Sequence, residues 1–355
     1  MSSSIQFSLL IPSYNRPEMI RETVESLLAN AGPDVEIIIS DDASPKSAEI
    51  AAVLADLTAA GRLQLVIQPR NLGWSDNRNA LVEIARGEWL ILLGDDDRLK
   101  PGALDALRGW FQRAPGGDLY GFGYDVIDED GQRVFTYGCT RLMRYRLDNG
   151  SPWPELFHYD AVPMWSHHPF TMAVHRRVFA ALRYTPAAGI GDDVLLLWQA
   201  LAGGFTFTVL PEVLFDWRNT FRSGAYSNLS SQAHRLKQTR GALLHELLRD
   251  PALPAAIGGL VRSPTFLQRF LLADARAVAE VQDRLSSGEL DAARTRASEI
   301  ALTRTIGVGD KLGRHWRALV AMGPGHLRRL CFYCCDRYRH DQHIKQLSRG
   351  QDPGA

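Results

Sequence analysis

The chain has 355 residues, 45% hydrophobic and 23% charged, and its 40 basic and 40 acidic side chains give a formal net charge of zero. This length holds one large domain or two modest ones, and the neutral balance argues against a nucleic-acid partner. No run of about 20 apolar residues offers a membrane-spanning helix.

The four cysteines are Cys139, Cys331, Cys334 and Cys335. They are too bunched for a spread disulfide framework, which implies a reducing, cytoplasmic setting. Met1 to Ser4 carries neither a basic n-region nor a cleavage site, so no signal peptide is expected.

In chain order, Phe7 to Ile11 is a short apolar strand that stops at Pro12. Pro17 opens a helix with Ile20, Val24, Leu27 and Leu28 at helical spacing, and Gly32-Pro33 ends it. Val35 to Ile39 is a second strand, followed by a helix over Lys46 to Ala60. Leu63 to Ile67 is a third strand, with a helix over Ser75 to Ala85. Glu88 to Leu93 is a fourth strand, and Pro101 starts a helix carrying Leu104, Leu107, Trp110 and Phe111. Continuous apolar strands alternating with helices predict an α/β fold, a mainly parallel sheet covered on both faces. Ligands bind such sheets at the carboxyl ends of the strands.

The segment from 118 to 217 is more mixed. Leu119 to Val126 and Arg133 to Tyr137 flank a turn at Asp128 to Gly131, which predicts a hairpin. Phe170 to Val174 and Phe205 to Leu210 read as strands, and Val194 to Leu201 as a buried helix. Residues 230 to 348 read as helical between proline and glycine breaks. The expected division is a 1–220 α/β domain and a 221–355 helical region, with an unstructured tail from Arg349.

Acidic clusters carry the chemistry. Asp95, Asp96 and Asp97 follow a buried strand, and three adjacent carboxylates repel one another. A hard divalent cation resolves that repulsion, because Mg²⁺ and Mn²⁺ take one or two protein carboxylates plus substrate phosphates. The alternative is an exposed acidic turn. Asp41-Asp42-Ala43-Ser44 follows the second strand in the same way. It serves either to accept hydrogen bonds from a base or ribose, or to cap the next helix. Asn71-Leu72-Gly73 and Asn77-Arg78-Asn79 lie after the third strand, and Arg78 is a candidate clamp for a phosphate or carboxylate.

Leu9 to Pro17 (LLIPSYNRP) resembles the opening of family 2 glycosyltransferases. So does the order that follows: Ser40 to Ser44, Asn71 to Gly73, Asn77 to Asn79, Gly87 to Leu90, and Gly94 to Asp97. The match is good over residues 6 to 115 and looser to 218. The resemblance implies a GT-A, Rossmann-like fold and an inverting hexosyl- or deoxyhexosyltransferase. Its donor would be a nucleotide-diphosphate sugar, and its acceptor a glycan or a lipid-linked saccharide of polysaccharide biosynthesis.

By the same resemblance Pro12 to Asn15 line the nucleotide pocket, with Tyr14 beside the base. Asp42 contacts the base, Asp95 lies near the ribose or metal, and Asp96 and Asp97 form the Mn²⁺ or Mg²⁺ site. The family often shows Asp-x-Asp-Asp here, and Gly94 stands at the first of those positions. Asn71 and Arg78 belong to the donor site. Asp193, in Gly191-Asp192-Asp193, takes the role of general base, and the family usually has Glu where Asp192 stands. Trp217, Arg218 and Arg222 resemble a basic segment that reaches the diphosphate; a surface linker is the other reading. Trp165 to His168 is a candidate acceptor loop.

From Lys311 to Arg349 basic residues outnumber acids and alternate with aromatics. This suits a peripheral anionic membrane surface, or equally packing on the core or on a second subunit of a homo-oligomer. Cys331, Cys334, Cys335, His340 and His343 are too tightly spaced for the usual zinc pattern. A nucleotidyltransferase would carry a glycine-rich loop where Pro12 to Asn15 stands. A dinucleotide oxidoreductase would need Gly-x-Gly-x-x-Gly after the first strand, which is absent. A non-catalytic protein of the same fold is the remaining alternative, and loss of Asp96 or Asp193 would have favoured it.

Overall fold

The computed structural model describes residues 5–137, 142–146, 172–186 and 192–218, with short pieces between 280 and 296. Trp165 to His168, Arg222, all four cysteines and nearly all of the 221–355 region lie outside the described residues. Among the described residues no helix is long and apolar enough to cross a membrane.

The strands are β1 (Phe7–Ser13), β2 (Val35–Asp41), β3 (Gln64–Ile67), β4 (Trp89–Leu92), β5 (Arg98–Leu99), β6 (Leu119–Ile127), β7 (Arg133–Tyr137), β8 (Met143–Tyr145), β9 (Met172–His175) and β10 (Phe207–Arg218). The helices are α1 (Pro17–Leu28), α2 (Ser47–Val53), α3 (Ala55–Ala59), α4 (Trp74–Ile84), α5 (Ala103–Arg113), α6 (Arg176–Ala181) and α7 (Asp192–Ala202). The strands form one mixed sheet in the order β3-β2-β1-β4-β9-β6-β10-β5, with β7 on β6 and β8 on β10. β1 to β4 are mutually parallel, β9 runs against both β4 and β6, and β10 is parallel to β6.

Every residue of β1 is buried, so both of its faces are covered. Phe7, Leu9 and Ile11 share a core with Ile20, Val24 and Leu27 of α1 and Leu104 and Leu107 of α5. Ser8 and Leu10 alternate to the opposite face, and α4 packs over β1 and β2. Trp89 stacks on Phe111 with ring centroids 4.2 Å apart and meets Tyr120 edge-on at 5.4 Å, which ties β4 to α5 and β6.

The structure departs from the sequence expectations in a few places. β1 runs through Pro12 to Ser13, because its pairing with β4 ends at Leu10 and only the β2 ladder continues. Proline's missing N–H is tolerated where a strand is paired on one side. The expected helix over 46–60 breaks at Leu54, whose backbone (φ −106°, ψ 3°) leaves the helical region, giving α2 and α3. The last core strand extends to Arg218, with register shifts around Val213, so Trp217 and Arg218 belong to the sheet and not to a linker.

Parallel pairing of β1, β2 and β4 brings Ser13, Asp41 and the loop after Leu92 to one edge. The close approach of β4's entry to β1 depends on Gly87. A Cβ there would lie 2.5 Å from the Ser8 amide nitrogen and 2.6 Å from its Oγ. Gly87→Ala is therefore expected to lower stability by about 1–3 kcal/mol, read as a fall in the urea midpoint with little change in slope.

Candidate functional site

The three aspartates after β4 take three different roles. Asp97 turns inward: its Oδ2 accepts the Gly94 amide at 3.1 Å and its Oδ1 the Arg218 amide at 2.9 Å. Burial, with Asp96 next to it, raises its carboxyl well above the usual range. Asp95 faces β1, accepting Ser13 Oγ at 2.9 Å and the Tyr14 amide at 3.2 Å on Oδ2. Burial pushes its carboxyl up to about 6, against the opposing pull of Arg16. Asp96 is raised by burial too, and its Oδ2 accepts Arg16 Nη1 at 2.7 Å.

Gly94 fits this turn because a Cβ there would come within 2.7 Å of Asp97 Oδ2 and 2.9 Å of Asp96 Oδ1. The two carboxylates that share the Arg16 guanidinium are Asp95 and Asp96. Among the described residues no cluster of three or more metal-ligating side chains exists. Two carboxylates held beside a cation fit an ion of the Mg²⁺ or Mn²⁺ type, which takes one or two protein carboxylates and completes its shell with water and phosphate. Asp97, the other expected ligand, has one backbone amide on each of its oxygens.

The end of β1 shapes the neighbouring pocket. Pro12 is buried, while Tyr14 is 49% exposed, so its ring is available to a ligand. Asn15 lies in the left-handed region (φ 62°), which asparagine tolerates better than most residues. That turn sends the chain back into α1.

Asp41 and Asp42 each accept hydrogen bonds from protein donors, in two different loops. Asp41 caps the local turn, accepting Ser44 Oγ at 2.7 Å and the hydroxyl of Ser47. Asp42 holds the loop before α4, accepting the Leu72 amide at 2.6 Å and the Gly73 amide at 2.9 Å. Asn71 closes this contact through Nδ2 to the Asp42 carbonyl, 3.2 Å away. The capping expected of Asp42 is thus directed at α4 and not at the helix that follows it in sequence.

Arg78 is corrected from donor clamp to internal clamp. Its side chain is 0% exposed, and Nη1 lies 2.7 Å from Asp192 Oδ1. Ser75 Oγ donates to Asp192 Oδ2 at 2.6 Å. The guanidinium also lies against the rings of Trp74 (4.2 Å) and Tyr184 (5.0 Å). These contacts fix the first turn of α7, and Asp193, itself buried, is the next residue.

Arg218 is corrected in the same way. Its side chain is 2% exposed. Nε donates to the Asp96 carbonyl, Nη1 to the carbonyls of Asp128 and Glu129, and Nη2 to Glu22, all within 3.0 Å. A guanidinium engaged at all three nitrogens inside the protein is not positioned to reach a diphosphate. It stabilises the acidic turn from behind.

Sequence reasoning missed the contacts of Ser13, Arg16 and Ser75. Ser13 and Arg16 lie within the LLIPSYNRP segment, but their partners are about 80 residues away in sequence.

Residues 8–181 match the sequence profile of the family described as "Glycosyl transferase family 2". The chain is 29% identical over 238 residues to the succinoglycan biosynthesis protein ExoO of Rhizobium meliloti, covering 64% of each chain and thus under two thirds of that protein. It is 31% identical over 128 residues to a GalNAc(5)-diNAcBac-PP-undecaprenol beta-1,3-glucosyltransferase of Campylobacter jejuni, 36% of this chain and 40% of that one. The fold is similar to that of a Pyrobaculum calidifontis mannosyltransferase solved with GDP-Man and Mn²⁺. The TM-score is 0.52 at 13% identity, covering 98% of this chain and 88% of that one. This likeness confirms the expected GT-A fold.

Breaking the buried pair leaves a charge with no counterpart. Arg78→Met is expected to cost about 3–5 kcal/mol, with Arg78→Lys losing less, as read from chemical denaturation midpoints.

Proposed function

From a chain that belongs to glycosyl transferase family 2, we propose an inverting transfer of sugar from a nucleotide-diphosphate donor to a hydroxyl of a glycan or lipid-linked acceptor. The observation that carries this reading is the bond set from Asp95 to Ser13 and Tyr14. It joins the Pro12 to Asn15 segment and the acidic loop into one site at the carboxyl ends of β1 and β4. The ExoO name supports a glycan product and the Campylobacter relative's name a lipid-linked acceptor.

In this mechanism Tyr14, Asn15 and Asn71 border the nucleotide pocket, with Asp42 holding the loop between them. Asp95 and Asp96 would hold Mn²⁺ or Mg²⁺, as the Mn²⁺ of the mannosyltransferase neighbour suggests. When bound, such an ion neutralises charge developing on the diphosphate leaving group.

Asp193 acts as the general base. Its carboxylate takes the proton of the acceptor hydroxyl while that oxygen attacks the anomeric carbon opposite the diphosphate. The bond from that carbon to the diphosphate breaks, and the leaving group departs with the electron pair. The pair of Asp192 with Arg78 and Ser75 holds α7 so that Asp193 keeps its place as the acceptor changes.

Calorimetry with UDP, GDP, dTDP and CDP, each with Mn²⁺ and with EDTA, tests the donor half. One diphosphate is expected to bind tightly and to lose that affinity in EDTA. Failure of all four with folded protein would remove the transferase reading. For the chemical half, Asp193→Asn is expected to keep diphosphate binding while lowering kcat by about 10²–10⁴-fold. Normal turnover in that variant would assign the base elsewhere.

A further inference from the structure

Arg16 occupies a position that the local fold does not call for. It is the N-cap residue of α1, where Ser, Thr, Asp or Asn accepts an orphan amide of the first turn. Its side chain makes no capping bond, and Pro17 at the first helical position removes one of the amides that would need one. The side chain crosses instead to the acidic loop, with Nη1 2.7 Å from Asp96 Oδ2 and 3.2 Å from Asp95 Oδ1. Those are the two carboxylates whose geometry suits a divalent ion.

Three arginines serve the acidic edge of the sheet, and they differ in exposure. Arg78 and Arg218 are 0% and 2% exposed and held within the protein. Arg16 is 34% exposed, so water can receive its guanidinium when it moves away. Asp95 would keep its bonds from Ser13 and Tyr14 after that departure, so its carboxylate would stay in place while the cation beside it is exchanged.

We infer that Arg16 is the resident cation of this loop, filling the place between Asp95 and Asp96 until a divalent ion displaces it. The inference rests on the metal reading given above. A guanidinium and a divalent ion cannot share the two carboxylates without like-charge repulsion at close range. Each therefore weakens the other by mass action. The consequence is a site that binds metal poorly alone and accepts it together with the donor, whose diphosphate adds oxygens for the ion and an anionic partner for the displaced guanidinium.

The test is titration of Mn²⁺ alone into the full chain, with free ion followed by electron paramagnetic resonance, for wild type, R16Q and R16K. R16Q is expected to bind Mn²⁺ about tenfold more tightly than wild type, and R16K to stay near wild type because its charge remains. Thermal melts check that all three are folded. If R16Q binds Mn²⁺ no better than wild type, or R16K binds it as tightly as R16Q, the inference is overturned. Repeating the titration with the diphosphate chosen from the panel separates the two failures. If diphosphate binding needs Mn²⁺ but R16Q gains nothing, only the role of Arg16 falls. If diphosphate binding ignores both Mn²⁺ and EDTA, the metal reading falls with it.

Discussion

Everything at the functional edge of this sheet follows from the cost of taking carboxylates out of water. Parallel pairing of β1, β2 and β4 gathers Asp41, Asp42 and Asp95 to Asp97 at one edge, and α7 adds Asp192 and Asp193. All but Asp96 of these are nearly inaccessible to solvent. A buried carboxylate must be met by donors or a cation, or else hold its proton. The structure uses each solution at a different residue. Backbone amides meet Asp42 and Asp97, hydroxyls meet Asp41, and a buried guanidinium with a serine meets Asp192.

These solutions also link the parts of the site. Asp42 grips the amides of Leu72 and Gly73, and Gly73 is the residue from which α4 starts. Ser75 and Arg78 on α4 grip Asp192 at the start of α7. The side of the site assigned to the nucleotide is thereby connected to the residue assigned to the base through one short helix. A shift in the loop after β3 would move both ends of this chain of contacts, because neither Asp42 nor Asp192 has water to replace a lost donor.

Much of this was legible in the sequence, and the divisions of labour were not. The apolar runs and the motif order placed β1 to β4, and put the clusters at Asp41-Asp42 and Asp95 to Asp97 at strand carboxyl ends, because those signals are local. The partners are not local: Arg78 meets Asp192 114 residues away, and the Arg218 amide meets Asp97 121 residues away. Both arginines therefore read as ligand contacts when their ligand is the protein itself. Asp95, Asp96 and Asp97 are indistinguishable as letters, and only the turn at Gly94 decides that Asp97 points inward. The placement of β9 between β4 and β6 likewise depends on a chain reversal that strand periodicity does not encode.

Gly94 itself shows how charge and space are settled together. An aspartate at that position would bring a fourth carboxylate to the loop, and its Cβ would already press on Asp97 and Asp96. Glycine removes both problems at once. With Asp97 bonded to backbone amides, Asp95 and Asp96 remain beside Arg16, enough to hold an ion that expects phosphate oxygens for the rest of its shell. The same economy of charge explains why one arginine on the solvent side suffices, with Arg218 bonded to the turn from within the protein. Asp95 is partly relieved by Ser13 and Tyr14, so a single guanidinium resting mainly on Asp96 balances the loop while leaving it open to exchange.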